Sequence, residues 1–177
     1  NIIITPIFMA ELFIHGQIIK AINCPVQNLS ASYQLQIQEG WTVEAGETTG
    51  QSQFDAPQCT EFEGHIFNLP FEIQLKTTTL SYWPSLIVKL STLEKGQKQL
   101  YAQSEFHIPM KNGNFKISNG SWAVSRKMVQ REGGTGRAQQ GGSVVYEGDR
   151  ANLLTESAGE IQIELWIHTN GFVERGT

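Results

Sequence analysis

Apolar and polar residues alternate with a period of two in several stretches, which is the period of an extended strand with one face buried. In residues 9–19, Leu12, Ile14 and, past Gly16, Ile18 fall on one side, and Glu11, Phe13, His15 and Gln17 fall on the other. Tyr33, Leu35 and Ile37 alternate with Gln34, Gln36 and Gln38, and Phe71, Ile73 and Leu75 alternate with Glu72, Gln74 and Lys76. Residues 86–90, after Pro84, are more continuously apolar and predict a deeper strand. The cleanest alternation sets Ile161, Ile163, Leu165 and Ile167 against Gln162, Glu164, Trp166 and His168. Shorter candidates lie at 41–43, 65–67, 100–108 and 144–146, with turn residues between them. Many short strands of this kind predict an all-β, antiparallel sandwich.

One short helix is expected over 122–131, where Trp122, Val124, Met128 and Val129 make a ragged apolar stripe that stops at Gly133-Gly134. The following residues, 135–143, are rich in Gly and Gln and predict a Gly-rich surface loop. Met9 reads as a true start. Residues 1–8 lack a basic n-region and a cleavage site, so they are expected to be a disordered extension outside the fold. The domain itself is expected at 9–170, with 171–177 as a C-terminal tail.

At 177 residues the chain suits one domain with a sizeable core. Its apolar runs are far below the roughly 18–20 residues of a membrane span. Cys24 and Cys59 form no metal or redox spacing and read as two reduced thiols. The net charge of −4 argues against wholesale nucleic-acid binding, but it is unevenly spread. Residues 89–137 hold nine Lys or Arg against three Glu, and the remainder holds four against fourteen acidic residues. Lys111, Lys116, Arg126, Lys127, Arg131 and Arg137 are therefore candidates for a basic face that meets an acidic partner or anionic lipid; ordinary solvated surface is the alternative.

The chain offers little to catalysis. His15, His65, His107 and His168 show no ligand spacing and are read as structural or surface residues. No G-x-S-x-G turn exposes a nucleophile, and the fifteen glutamates fall mostly at outward strand positions or in turns. The run 133–137 lacks the phosphate-loop spacing. Asp55 and Asp149, the only aspartates, are too few for a calcium site of six to eight oxygens. No catalytic, metal or cofactor-binding set is therefore assigned, and no cofactor is expected. Of the four tryptophans, Trp83 and Trp122 read as core or loop cover. Trp166 shares a face with Gln162, Glu164 and His168 and is a candidate for contact with another protein.

Several segments, in order, carry a family resemblance. Met9-Ala10-Glu11-Leu12 leads to Gly16-Gln17-Ile18-Ile19, and the turn Gly50-Gln51-Ser52-Gln53-Phe54-Asp55-Ala56-Pro57 is similar to G-Q-T-Q-x-D-x-P. Residues 70–75 lead to Tyr82-Trp83-Pro84, similar to a Gly-Trp-Pro corner in which Tyr82 stands in place of Gly. Phe106-His107-Ile108-Pro109 and Tyr146-Glu147-Gly148-Asp149-Arg150 then precede the final strand. Together these resemble the B9-domain family of ciliary transition-zone (Meckel syndrome complex) proteins, a branch of the C2-like β-sandwiches.

The resemblance implies a non-enzymatic structural subunit, cytoplasmic and placed at the cilium base (transition zone and basal body). It also implies other B9-domain proteins as partners and a role in cilium assembly and the membrane diffusion barrier. A calcium-independent peripheral module that binds anionic lipid is the alternative. Gly50, Asp55, Pro57, Trp83 and Pro84 take structural roles in this reading: Gly50 is expected at positive φ, and Pro84 fixes an extended corner at Trp83.

Overall fold

The computed structural model describes residues 9–57, 64–124 and 155–172. Among these residues there are nine strands and no helix: β1 (Ala10–Ile22), β2 (Ser30–Gln36), β3 (Trp41–Gly46), β4 (Thr49–Gln51), β5 (His65–Thr77), β6 (Ser85–Glu94), β7 (Gln97–His107), β8 (Gly113–Val124) and β9 (Thr155–Asn170). They hydrogen-bond in the order β3-β5-β1-β9-β8-β7-β6-β2-β4, and each neighbouring pair is antiparallel.

That order and the connectivity together define the shape. β3 and β4 stand at opposite ends of the strand order, yet only Glu47 and Thr48 separate them in the chain. Two residues reach about 7 Å, whereas a flat nine-stranded sheet would separate its edges by nearly 40 Å. The sheet must therefore curl until its edges meet, which makes it a sandwich with layers β3-β5-β1-β9-β8 and β7-β6-β2-β4. The ring centroids of Tyr33 on β2 and Phe71 on β5 lie 5.0 Å apart across the layers. Where one layer turns into the other, β7 and β8 are in register at Gln103 and Trp122. Side chains stitch the rest of this seam: Ser104 Oγ donates to the Gly120 carbonyl at 3.0 Å and Asn119 Nδ2 to the Glu105 carbonyl at 2.9 Å.

The inward positions are the ones the alternation selects. Leu12, Ile14 and Ile18 on β1, Ile73 and Leu75 on β5, and Ile161, Ile163 and Leu165 on β9 are at most 1% exposed. Each such side chain stabilises the fold by about 1.5–3 kcal/mol relative to exposure. The candidates at 65–67 and 71–76 form one strand, β5, broken by an irregularity. The β1–β5 register shifts between Ile18 and Lys20, and Asn68 takes φ 45° opposite that shift.

The expected short helix at 122–131 is corrected where it can be seen. Residues 122–124 are the end of β8, paired antiparallel to β9 through Trp122↔Ser157 and Val124↔Thr155. Its ladder partner, and not its own propensity, decides the conformation. Residues 125–131, the Gly-rich stretch 135–143, the candidate at 144–146, Cys59 and residues 1–8 lie outside the described residues. In the stretch expected as a tail, Phe172 packs edge-on against Trp83 at 5.6 Å.

The two motifs behave as clamps. Asp55 exchanges backbone hydrogen bonds with Leu29 (2.7 and 3.0 Å), and its carboxylate accepts from the Ile66 amide at 2.8 Å, tying the start of β2 to the start of β5. At the corner, Trp83 meets Trp41 edge-on at 5.2 Å over buried Pro84, and the Trp41 indole donates to the Ser81 carbonyl at 3.2 Å. Gly50 requires a correction. It is not among the positive-φ residues; a Cβ there would collide with the Tyr33 ring, so its role is to leave room for that ring against β4.

Two positions at positive φ respond to substitution in opposite directions. Gly46, at the β3–β4 crossing, has φ 91°, and a Cβ would strike the Glu72 carbonyl. Gly46→Ala should therefore destabilise the protein by at least about 2 kcal/mol, read as a drop of roughly 4–8 °C in the melting midpoint. Tyr82 has φ 57° and a side chain 64% exposed, so glycine would relieve strain at little cost in packing. Tyr82→Gly should raise the midpoint by about 2–4 °C, and an unchanged or lower midpoint would contradict this account of the corner.

Candidate interaction face

Curling buries one face of the sheet and leaves the other to solvent. On the outside of the β3-β5-β1-β9-β8 layer, antiparallel register arranges the outward residues in rows across the strands. His15 on β1 sits opposite Glu72 on β5 and Trp166 on β9, and Trp166 sits opposite Asn114 on β8. The adjacent row holds Gln74, Phe13 and His168. These rows line an open hollow of about 760 Å³. The rings in it pair across β1 and β9: His15 with Trp166 at 5.4 Å and 59°, and Phe13 with His168 at 5.8 Å and 42°. Trp166 is 37% exposed, high for so large an apolar side chain on a sheet.

The surroundings are acidic and partly ordered. Glu164 is only 9% exposed although it is on the outer face; Gln17 Nε2 and Asn114 Nδ2 donate to it at 3.4 and 3.2 Å, and Lys116 Nζ lies 4.0 Å away. It is not the solvated outward glutamate that alternation suggests. Lys76 donates to Glu44 at 2.9 Å and lies 4.0 Å from Glu11, and the Glu44 hydrogen bond holds its ammonium above the ordinary lysine range. Glu72 and Gln74 make no side-chain hydrogen bond or ion pair among the described residues.

Among the described residues, the other sequence candidates do not line the hollow. Lys111 is exposed in the turn between β7 and β8, and Lys116 is on β8 beside Glu164. Arg126, Lys127, Arg131 and Arg137 lie outside the described residues. Asp55, Trp83 and Pro84 belong to the clamps, Gly50 leaves room for Tyr33, and Pro57 is half-buried two residues beyond Asp55. His65 is fully buried, its ring nitrogens 3.2 and 3.1 Å from the carbonyl oxygens of Asp55 and Val26, so it supports the Asp55 clamp. Among the described residues no three His, Cys, Asp or Glu side chains gather as a metal site, and no helix is long and apolar enough to cross a membrane. Sequence reasoning placed Trp166 with His168 on one outward face, and Phe13 with His15 on another. It missed that the faces are neighbours and that Glu72 completes the row, because a period-2 pattern carries no information on register.

Comparison with known proteins gives these observations a family. Residues 12–168 match the model of the family described as "Ciliary basal body-associated, B9 protein". The chain belongs to the B9 family. Relatives named B9 domain-containing protein 2 align over nearly the full length. The Drosophila melanogaster protein is 30% identical over 175 residues, covering 95% of this chain and 98% of that protein. The Xenopus laevis protein is 29% identical over 174 residues and the Homo sapiens protein 25% over 174, each with the same coverage. In this B9 domain the match begins inside β1 and ends inside β9, so it includes both strands that build the aromatic hollow.

The one described thiol of the B9 domain is structural. Cys24 is buried and lies 3.4 Å from the carbonyl oxygens of Ile22 and Ala158, and burial pushes its thiol from 9.0 to about 11. Folding thus favours the protonated form, so its contribution to stability is complete below pH 9 and is lost as pH rises through about 11. In a Cys59→Ser background, native Cys24 should react with N-ethylmaleimide near neutral pH about 100-fold more slowly than the unfolded chain, from ionisation alone. Equal rates would show that the site is open.

Proposed function

We propose that this B9-family chain is a non-enzymatic structural subunit of the transition-zone (Meckel syndrome) complex at the cilium base. It assembles there with other B9-domain proteins and helps to build the cilium and its membrane diffusion barrier. The observation that carries this reading is the match over residues 12–168 to a family described as ciliary basal body-associated. The outer face adds support, because exposed rings in a shallow hollow on a rigid sheet suit protein contact better than turnover of a small substrate. Among the described residues, core and clamps take up three further chemistry-bearing side chains: His65 and Asp55 tie strands together, and Cys24 is held protonated.

The test is made in ciliated cells. The tagged chain should concentrate at the cilium base and co-purify with sibling B9-domain proteins, and its removal should change the membrane-protein content of the cilium. A tagged chain that recovers no sibling, in cells whose cilia are unaffected by its loss, would sink the reading.

A further inference from the structure

We propose that the hollow on the outer face takes an arginine side chain from a basic segment of a partner protein. The guanidinium would lie over the Trp166 and His15 rings and pair with the Glu72 carboxylate. This inference rests on the assembly-subunit reading for the existence of a partner, and it specifies that partner's chemistry.

One row of residues crosses the hollow. Glu72, His15, Trp166 and Asn114 lie side by side on four adjacent strands, so the row spans roughly 14 Å, the reach of one side chain with its flanking backbone. The ring pair at its centre, 5.4 Å between centroids, offers a tilted aromatic surface with Trp166 37% exposed. An aromatic face attracts a cation through its quadrupole, most strongly for tryptophan, and a planar guanidinium both stacks on the ring and keeps its N–H edges free for oxygen acceptors. Glu72 supplies such an acceptor. It is exposed at the end of the row and, among the described residues, has no hydrogen bond or ion pair.

Charge selects the sign of the occupant. Glu11 and Glu164 stand in the rows that flank the hollow, and the lysines of those rows already face carboxylates: Lys76 faces Glu11 and Glu44, and Lys116 faces Glu164. An anionic headgroup or nucleic-acid phosphate would meet net repulsion there, whereas a basic peptide meets an unpaired carboxylate and a ring surface. Arginine is favoured over lysine because a compact ammonium cannot stack and is more strongly hydrated.

Fluorescence anisotropy tests this with the full chain. The probes are a fluorescein-labelled peptide alternating serine and arginine, and the same peptide with lysine or with glutamate in place of arginine. The wild-type chain should bind the arginine peptide, bind the lysine peptide several-fold more weakly and leave the glutamate peptide free. Glu72→Gln and Trp166→Leu should each weaken arginine-peptide binding about tenfold, with melting midpoints near wild type. Glu94→Gln, which removes an exposed carboxylate in the other layer, should leave binding unchanged.

No binding of the arginine peptide would overturn the proposal, as would equal effects of Glu72→Gln and Glu94→Gln. So would self-association of the wild-type chain that Trp166→Leu abolishes, since a second copy would then occupy the face. The subunit reading fails separately. If siblings co-purify equally with wild type and with both hollow variants, only the hollow assignment falls. If no sibling co-purifies but the peptide binds with the stated variant pattern, only the subunit reading falls.

Discussion

The two-residue link between β3 and β4 is the constraint on which the rest of the structure depends. It joins strands from opposite ends of the sheet order, so the sheet cannot remain open, and the inner surface becomes a core lined by the alternating aliphatics of β1, β5, β6 and β9. Closure also limits exposed edge: β3 and β4, the terminal strands, have only six and three residues. The crossing is made possible by small residues and one ring pair. Gly46 turns where no Cβ fits, Gly50 leaves room for Tyr33, and Tyr33 then reaches Phe71 in the other layer. The Thr48 carbonyl, inside the link, accepts the Leu35 amide of β2 at 2.7 Å, so β2 satisfies that backbone group of the crossing.

Strain elsewhere follows a similar economy. Among the described residues, those other than glycine at positive φ are, besides Tyr82, Asn23, Asn68 and Lys95, at the end of β1, at the β1–β5 irregularity and in the β6–β7 turn. Asparagine tolerates this region better than most residues, so two of the four positions are inexpensive. Amide side chains also close the loops from outside the strands. Asn28 accepts from the Leu93 amide at 2.7 Å and from Thr92 at 3.2 Å, and Asn112 accepts from the amide and hydroxyl of Thr169 at 2.7 and 2.8 Å. Each fixes a loop against a strand distant in sequence and replaces a ladder bond that the strand end lacks.

Alternation made the fold class and most core residues legible, because a buried face imposes period two whatever the neighbours are. Leu12, Ile14, Ile18, Tyr33, Leu35, Ile73, Leu75 and the β9 aliphatics are inward as the pattern requires. β8 was not legible. Its inward positions include Asn119, which serves the seam, and buried Ser121 beside half-buried Phe115 and Ile117, so polar residues mute the signal, and Trp122 with Val124 imitates a helical stripe. β4 is too short to show any period. For the motif glycine, only the folded structure distinguishes a residue needed for positive φ from Gly50, which leaves space for a ring. The outer hollow was half visible: its rings stand at outward positions in the sequence, whereas their adjacency depends on β1 pairing with β9, a contact between the two ends of the domain.

That adjacency is also why the outer face differs from ordinary strand surface. A sheet that needed only solubility would place short polar or charged residues along its two central strands, where flanking strands on both sides already satisfy the backbone. Here β1 and β9 are central, yet they carry Phe13, His15, Trp166 and His168 outward, and Glu164 beside them is only 9% exposed under Gln17 and Asn114. The rings add little to the core, which is closed on the opposite side of the same strands. They are held rigid by a fully paired sheet, so little side-chain freedom remains to be lost when another surface covers them. A face that is apolar, pre-ordered and bordered by carboxylates is thus organised for contact with a cationic protein surface, and the closure that buries the core is what sets its curvature.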